Sequence, residues 1–217
     1  CHHCEEFSIR DVFDKKEYKA PSQQWQNHTN ISDAVVKWFT GRGISQNTLI
    51  ECKITEERYY QPSKASECVN IVFNYFEGES LLNKKYRSSD KKFTQCKDAK
   101  KVFYGLNDII GKNEAYIVEG EMDKLAMWEI GIKNCISVPN GANDLNDVIE
   151  NCSNYVKDLE KIYICVDMDE PGLKLERELV KRFGKWRCER VEFIGKDAND
   201  DLISDRLQLE KTIRHIQ

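Results

Sequence analysis

The sequence predicts an α/β protein whose carboxyl-terminal half holds a mostly parallel four-stranded sheet with flanking helices. Two observations carry this prediction. After Phe103, short apolar runs alternate with amphipathic stretches, which is the pattern of parallel strands joined by crossover helices. Before Phe103, two apolar runs flank the turn-forming residues 77–80, which is typical of an antiparallel hairpin. A small α+β region rich in basic residues therefore precedes the parallel sheet.

The composition is that of a globular protein with a real core. The chain has 217 residues, of which 40% are hydrophobic and 32% are charged. No apolar run approaches the roughly 18 residues that cross a bilayer, and residues 1–20 lack the basic and then apolar order of a signal segment. We therefore expect a cytoplasmic protein with no membrane partner. Because the chain begins at Cys1 rather than Met, we also expect it to be a piece of a longer protein.

The first four residues carry half of a possible zinc site. They read Cys-His-His-Cys, and a CxxC pair supplies two of the four ligands of a tetrahedral zinc ion. Either His2 and His3 or a second CxxC pair before Cys1 would complete the site. Neighbouring histidines point apart, which favours the second pair. Cys1 and Cys4 are thus candidate zinc ligands, and the alternative is an exposed remnant that binds no metal. We expect the other cysteines to be reduced thiols, since the count of nine is odd.

The region before Phe103 predicts a linker followed by two helices and a hairpin. The linker lacks an apolar period and is rich in Gln and Asn, and the helices show apolar spacing typical of one buried face. The predicted elements are a linker at residues 14–30, helices from Ser32 and at residues 44–50, and strands at residues 68–76 and 81–87. The second strand brings several lysines and an arginine onto the hairpin.

The region after Phe103 predicts four strands, each followed by a helix. The strands are placed at residues 115–118, 135–138, 162–166 and 190–194, and the helices at residues 122–130, 144–159, 172–183 and 202–216. Together with the preceding region this predicts three units, at residues 1–30, 31–102 and 103–217.

Acidic residues follow three of the four predicted strands. Glu119 follows the first, Asp167 and Asp169 follow the third, and Asp197 follows the fourth. The carboxyl ends of parallel strands share one edge of the sheet, so we expect these side chains to meet there. Two carboxylates about 4 Å apart repel by roughly 4 kcal/mol at an effective dielectric near 20, and they need protons or a cation. Oxygen ligands with few histidines nearby favour Mg²⁺ or Mn²⁺ over zinc.

The order and spacing of these acidic segments resemble the Toprim domain of primases, topoisomerases and related nucleases. The likeness is closer still to the Toprim-domain primases of the phage primase-helicase and Twinkle type, in the segments Val118 to Asp123, Ser137 to Ala142 and Lys196 to Asp200. Upstream segments resemble the basic subdomain that precedes Toprim in those proteins, namely Arg42 to Ser45, Lys85 to Arg87 and Lys91 to Phe93. By the same resemblance, residues 1–4 are the end of the zinc ribbon with which those primases read template DNA.

The resemblance implies a role for each candidate residue. Glu119 is implied as the catalytic acid or base, and Asp167 and Asp169 as catalytic metal ligands. The supporting metal-site acids are Asp123 and Asp197. The residues implied to contact nucleotide or DNA are Lys85, Arg87, Lys92, Asn140 and Gly141.

The implied function is that of a DNA primase module within a primase-helicase active in DNA replication. Such an enzyme is a metal-dependent nucleotidyltransferase that makes short RNA primers on single-stranded DNA, with Mg²⁺ or Mn²⁺ at the Toprim site and Zn²⁺ in the full-length protein. The implied partners are single-stranded DNA, nucleoside triphosphates and a helicase domain in the same or a partner chain. The implied location is the cytoplasm of a bacterial or phage-infected cell, ahead of a mitochondrial or plastid matrix.

Two alternatives remain open at this point. One is a catalytically silent Toprim module that binds single-stranded DNA beside a replicative helicase, and the other is a Toprim nuclease. The presence of Glu119, Asp167 and Asp169 favours catalysis, whereas the net charge of −4 favours a fragment that is inactive alone. The chain has no GxxxxGK(S/T) segment, so the fragment is not itself a motor.

Overall fold

The computed structural model describes residues 25–214, which fold around two four-stranded sheets. Cys1 and Cys4 lie outside the described residues, so the zinc site stays a prediction. Within residues 25–214, no helix is long and apolar enough to cross a membrane.

The amino-terminal region is a helix pair followed by an antiparallel sheet in the order β1-β2-β3-β4. The predicted helices and the hairpin are confirmed. Each helix begins where a serine side chain, Ser32 or Ser45, accepts a hydrogen bond from a backbone N–H of the first turn. The elements are α1 (Asp33–Thr40), α2 (Gln46–Glu51), β1 (Thr55–Gln61), β2 (Ser66–Glu77), β3 (Ser80–Ser88) and β4 (Phe93–Gln95).

Strands β1 and β4 did not emerge from the sequence pattern. They are the two outer strands of this sheet, and β1 has the mostly polar sequence Thr-Glu-Glu-Arg-Tyr-Tyr-Gln. An outer strand buries little of its surface, so its apolar alternation is weak. Its place is fixed instead by its backbone pairing with β2 along its whole length.

The carboxyl-terminal region holds the predicted parallel sheet, in the order β6-β5-β7-β8, and every strand pair in it is parallel. The central strands β5 and β7 are buried along almost their whole length, which explains their continuous apolar sequences. The strands are β5 (Glu114–Val118), β6 (Cys135–Ser137), β7 (Lys161–Cys165) and β8 (Cys188–Arg190). The helices are α3 (Glu121–Glu129), α4 (Leu145–Asn151), α5 (Ser153–Val156), α6 (Glu170–Phe183), α7 (Ala198–Ser204) and α8 (Arg206–Arg214).

The prediction of a fourth strand at residues 190–194 was wrong in its position. The strand ends at Arg190, and the last ladder-like contact is the Val191 N–H that donates to Ile164 O at 2.9 Å. The Asp201 carboxylate then accepts from the N–H groups of Ile194 and Gly195 at 3.0 and 2.6 Å. A side chain of the following helix, α7, therefore satisfies the backbone N–H groups that the apolar pattern assigned to the sheet.

Two long predicted helices are each divided into two. The segment at residues 144–159 breaks at Cys152 into α4 and α5, and the segment at residues 202–216 is replaced by α7 and α8. Asp205 separates the second pair, because its backbone is extended and cannot continue the helix. The Asp205 carboxylate also accepts from Leu207 N–H at 2.9 Å, which is typical of an aspartate that ends one helix and starts the next.

One buried core runs through both sheets. It joins Phe73 and Tyr75 of β2 to Tyr104 and Tyr116 of the carboxyl-terminal region. Hydrogen bonds also cross between the regions, among them those from Tyr75 Oη to Glu121 Oε1 at 2.5 Å and from Tyr104 Oη to Cys52 O at 3.2 Å. The antiparallel sheet is thereby held against the start of α3, next to the carboxyl ends of β5 and β7. The boundary at residues 102 and 103 stays a prediction.

Helix α6 packs against the backbone that carries Asp167, and only glycine fits at the contact. A Cβ atom at Gly172 would lie 2.1 Å from Asp167 O and 2.8 Å from Asp167 C. The atoms that this Cβ would meet belong to the backbone of Asp167, so a change of side-chain rotamer cannot relieve the overlap.

We predict that Gly172→Ala lowers the free energy of unfolding by about 1–3 kcal/mol, the usual cost of overpacking. The measurement is urea unfolding. The matched control is Gly41→Ala, because a Cβ atom there would lie 3.5 Å from its nearest neighbour and should change stability by less than about 0.5 kcal/mol. Equal stabilities of the two variants would contradict the close packing of α6 on Asp167.

Candidate active site

Three carboxylates meet at the carboxyl edge of the parallel sheet. Glu119, Asp167 and Asp169 each place an oxygen within 4.8 Å of those of the other two, and all three are half-buried. Glu119 directly follows β5, and Asp167 follows its parallel neighbour β7 after one residue. Asp169 caps α6 by accepting from Gly172 N–H at 3.1 Å. The sequence prediction that these three side chains meet is therefore confirmed, whereas their roles stay predictions.

The chemistry of the cluster fits a divalent cation. Glu119 Oε2 is buried and has no hydrogen-bond partner among the described residues. Burial, and then the charges of Asp167 and Asp169, raise the pKa of Glu119 to about 7. Burial also raises the pKa of Asp167, whereas the Gly172 N–H lowers that of Asp169. A hard cation with oxygen ligands would satisfy the orphaned oxygen and offset the repulsion.

Asp123 and Asp197 form a second acidic pair beside this cluster rather than part of it. Asp123 is 8% exposed, on the first turn of α3, and accepts from Asn199 N–H at 3.2 Å. Burial and the nearby Asp197 charge raise the pKa of Asp123 well above its usual range. Asp197 caps α7 by accepting from Asp200 N–H at 2.8 Å. The structure thus gives Asp197 a capping task, and the predicted metal role of both residues is not tested by it.

A groove of about 470 Å³ lies between the two sheets and opens over the acids. Its carboxyl-terminal wall carries Glu119, Asp123, Asp167 and Asp197, and its other wall carries cations of the amino-terminal region. The cationic and aromatic residues that line it are Arg42, Phe73, Lys85, Arg87, Lys91, Phe93 and Lys196. The groove therefore brings phosphate-binding groups opposite metal-binding groups.

Arg87 is the most informative of the predicted basic residues. It is 7% exposed, and its guanidinium lies over the rings of Trp38 at 4.4 Å and Phe93 at 5.9 Å. Burial and the neighbouring Arg42 lower its pKa, and within residues 25–214 no carboxylate pairs with it. A buried guanidinium without an anion is costly, which indicates that an anionic ligand belongs beside it.

Lys85 and Lys92, the two other predicted basic residues, differ in their surroundings. The Lys85 ammonium donates to both Glu121 oxygens at 2.8 and 3.0 Å and to Pro139 O at 2.8 Å. Its charge is thus already used to hold β3 against α3. Lys92 is exposed and lies outside the lining of the groove, whereas its neighbour Lys91 forms part of that lining.

Sequence reasoning assigned no site role to Arg42, Trp38, Lys91 or Lys196. Arg42 stacks on Trp38 at 4.7 Å and donates to Asn199 Oδ1 at 3.2 Å, so it joins α1 to α7 across the groove. The available signal was the Arg42-Gly43 pair after α1. Gly43 has a φ of +77° and packs against Leu202, which positions the arginine beside α7.

Asn140 and Gly141 lie near Glu119 but do not line the groove. They line a second cavity of about 560 Å³ together with Glu119. Gly141 has a φ of +55°, and a Cβ atom there would lie 3.9 Å from Glu119 Oε1. Asn140 Oδ1 accepts from Gln95 Nε2 at 3.0 Å. The predicted pair therefore lies at the edge of the acidic cluster, and its nucleotide-binding role stays a prediction.

Comparison with known families decides what this fold is. The family described as Toprim-like matches residues 116–202, a range that includes all three clustered acids. Residues 116–202 form a Toprim-like domain. The resemblance inferred from the acidic segments is confirmed for this part of the chain.

Two plant proteins are similar to the Toprim-like domain and to the region before it. The primase homolog protein of Arabidopsis thaliana is 37% identical over 195 residues, which cover 80% of this chain and 56% of that protein. The Twinkle homolog protein, chloroplastic/mitochondrial, of the same plant is 35% identical over 195 residues, which cover 80% of this chain and 27% of that protein. The chain thus spans about half or less of these relatives.

The fold around the Toprim-like domain is also that of a solved primase. The primase fragment of the bacteriophage T7 primase-helicase protein matches with a TM-score of 0.67 at 22% identity, covering 81% of this chain and 72% of that fragment. The match extends beyond residues 116–202, so the antiparallel sheet and the Toprim-like domain share the arrangement seen there.

The raised pKa of Glu119 predicts that the free energy of unfolding of the metal-free protein depends on pH. The folded chain holds this proton up to about pH 7, whereas the usual value is 4.5. The folded state therefore binds more protons than the unfolded state between these values, and stability falls as the pH rises through them. In a chelator, Glu119→Gln should be more stable than wild type above pH 7, and the difference should vanish below pH 4.5.

Urea unfolding from pH 4 to 8 in a chelator measures this difference, with the exposed Glu150→Gln as the control. If the difference in unfolding free energy between wild type and Glu119→Gln does not change with pH, the pKa of Glu119 is not raised in the folded protein.

Proposed function

We propose that this chain is the primase module of a primase-helicase, and that it joins ribonucleotides on a single-stranded DNA template. The single observation that carries the proposal is the groove in which Glu119 and Asp167, two of the three clustered acids, lie opposite Arg42, Arg87 and Lys91. Phosphoryl transfer relies on positioning and charge neutralisation, and this arrangement offers both. The similarity to proteins named for primase and Twinkle supports the same assignment.

The acids would hold Mg²⁺ or Mn²⁺ through Glu119, Asp167 and Asp169. When bound, such a cation neutralises phosphate charge and makes the 3′ hydroxyl of one nucleotide more acidic. The hydroxyl oxygen then bonds to the α-phosphorus of the next nucleotide, and pyrophosphate leaves. If Glu119 does not ligate the cation, its half-buried carboxylate beside the metal ligands is placed to accept the hydroxyl proton.

The cationic wall would bind the phosphates of nucleotide or template. Arg87 and Arg42 lie on the same Trp38 ring, and a phosphate beside them would offset the repulsion between the two guanidiniums. Lys85 is committed to Glu121, so we assign it to holding β3 and α3 together rather than to the ligand. Lys91 takes the place that the sequence pattern gave to Lys92.

The partners of the proposed module are single-stranded DNA, nucleoside triphosphates and a helicase domain. A zinc ribbon that includes Cys1 and Cys4 would complete it. The compartment is the one that holds the replicating DNA, either the cytoplasm of a bacterial or phage-infected cell or an organelle matrix.

The first test compares metal binding with primer synthesis. We predict that the double variant Asp167→Asn with Asp169→Asn loses Mg²⁺ and Mn²⁺ binding in calorimetry and loses primer synthesis on single-stranded DNA. The control, Glu150→Gln with Asp158→Asn, removes two exposed acids outside the site and should retain both. Equal metal binding in the two double variants would refute the metal site. Metal and DNA binding without primer synthesis, in a protein that includes the zinc ribbon, would favour the catalytically silent module.

The second test uses Arg87. Arg87→Met keeps most of the packing on Trp38 and removes the buried charge, so the free energy of unfolding should stay the same or rise. Affinity for labelled single-stranded DNA or a nucleoside triphosphate should fall about tenfold, as expected for one charge-assisted contact. The control is Arg58→Met, an exposed arginine on β1. A large loss of stability with unchanged affinity would make Arg87 a structural residue.

A further inference from the structure

Lys196 lies at the mouth of the acidic cluster. Its ammonium is 3.1 Å from Asp167 Oδ2 and 3.3 Å from Asp169 Oδ2. It therefore bridges two of the three carboxylates that would hold a metal ion. The Asp167 side chain is 14% exposed, whereas that of Lys196 is 54% exposed, so the lysine reaches into the site from solvent.

The backbone around Lys196 is fixed on both sides, whereas its long and largely exposed side chain can change conformation. Lys196 O accepts from Met168 N–H at 3.1 Å. The preceding residue, Gly195, is held through its N–H by Asp201, and the following residue, Asp197, caps α7. A long, flexible chain on a fixed anchor can move its charge by several ångströms without disturbing the fold.

An ammonium group and a divalent ion compete for the same carboxylate oxygens, because like charges repel at such distances. A metal ion that binds Asp167 and Asp169 through the Oδ2 atoms that Lys196 contacts must displace the lysine. The groove beside the acids already includes Lys196 in its wall, together with Arg87 and Lys91. The displaced ammonium would thus remain beside the phosphates of a nucleotide in the groove.

We propose that Lys196 is a resident counterion that the metal displaces, and that the displaced ammonium then binds nucleotide phosphate, so that metal and nucleotide promote each other's binding. The inference rests on the proposed function, since it needs a metal at the acids and a nucleotide in the groove. Lys196 lowers metal affinity when no nucleotide is present and raises nucleotide affinity once the metal is bound. Because coupling between two ligands is reciprocal, the nucleotide then raises metal affinity by the same factor by which the metal raises nucleotide affinity.

The experiment titrates Mn²⁺ alone into wild type, Lys196→Met, Lys196→Arg and Lys181→Met by calorimetry. We expect Lys196→Met to bind Mn²⁺ about tenfold more tightly than wild type, because one competing charge is gone. Lys196→Arg should behave as wild type. Lys181→Met removes the same charge from the last turn of α6, about 18 Å along the helix from Asp169 and beyond the screening length of about 10 Å, and should leave Mn²⁺ affinity unchanged.

A second titration adds α,β-methylene ATP at saturating Mn²⁺. Lys196→Met should now bind about tenfold more weakly than wild type, whereas Lys181→Met should not. Thermal unfolding in a chelator checks folding, and Lys196→Met should lose stability there and regain it with Mn²⁺. These opposite changes in metal and nucleotide affinity would not follow from a lysine with a merely structural role.

The outcomes separate this inference from the proposed function. If wild type binds Mn²⁺ and Lys196→Met binds it no more tightly, Lys196 is a fixed surface ion pair and the inference is overturned. If only Lys196→Met binds Mn²⁺, the resident counterion is supported in its strongest form. If neither binds Mn²⁺, the metal site fails and both proposals fall with it.

Discussion

The repulsion among Glu119, Asp167 and Asp169 is the constraint on which the rest of this structure depends. The parallel pairing of β5 and β7 brings the three side chains to one edge of the sheet. The fold therefore surrounds the acids with groups that offset their charge. Asp169 accepts a helix N–H, Lys196 bridges Asp167 and Asp169, and Glu119 retains a proton up to about pH 7. A bound metal ion would offset the negative charge of all three carboxylates at once.

The antiparallel sheet has a separate task, which is to hold a cationic wall opposite the acids. Its attachment is built from buried polar contacts at Glu121, which accepts from Tyr75 Oη and from the Lys85 ammonium. A buried carboxylate with two such partners tolerates little displacement, because losing Lys85 leaves a buried charge unpaired and losing Tyr75 removes a hydrogen bond to that charge. The distance between Arg87 and the acids is thus set by an ion pair that itself takes no part in the proposed chemistry.

The helices that follow the strands also shape the site. Asp169 and Asp197 cap α6 and α7 with side chains that the sequence pattern offered only as metal ligands. Capping fixes the direction of a carboxylate and leaves a second oxygen available, so Asp169 can cap α6 and still offer an oxygen to a cation. Gly172 belongs to the same arrangement, since it lets α6 lie directly on the Asp167 backbone.

The sequence by itself determined the parallel sheet, the hairpin and the meeting of the three acids. Each depends on local periodicity or on the rule that parallel strands share a carboxyl edge. Periodicity and the residues that follow each predicted strand can both be recognised in the sequence. The tertiary structure alone decided where β8 ends, which lysine faces the groove, and that Arg87 is buried without an acid. Those features depend on contacts between different segments of the fold, such as Asp201 of α7 with the Gly195 backbone and Arg87 of β3 with Trp38 of α1. The free energy of tertiary packing determines such contacts, and no local sequence pattern predicts them.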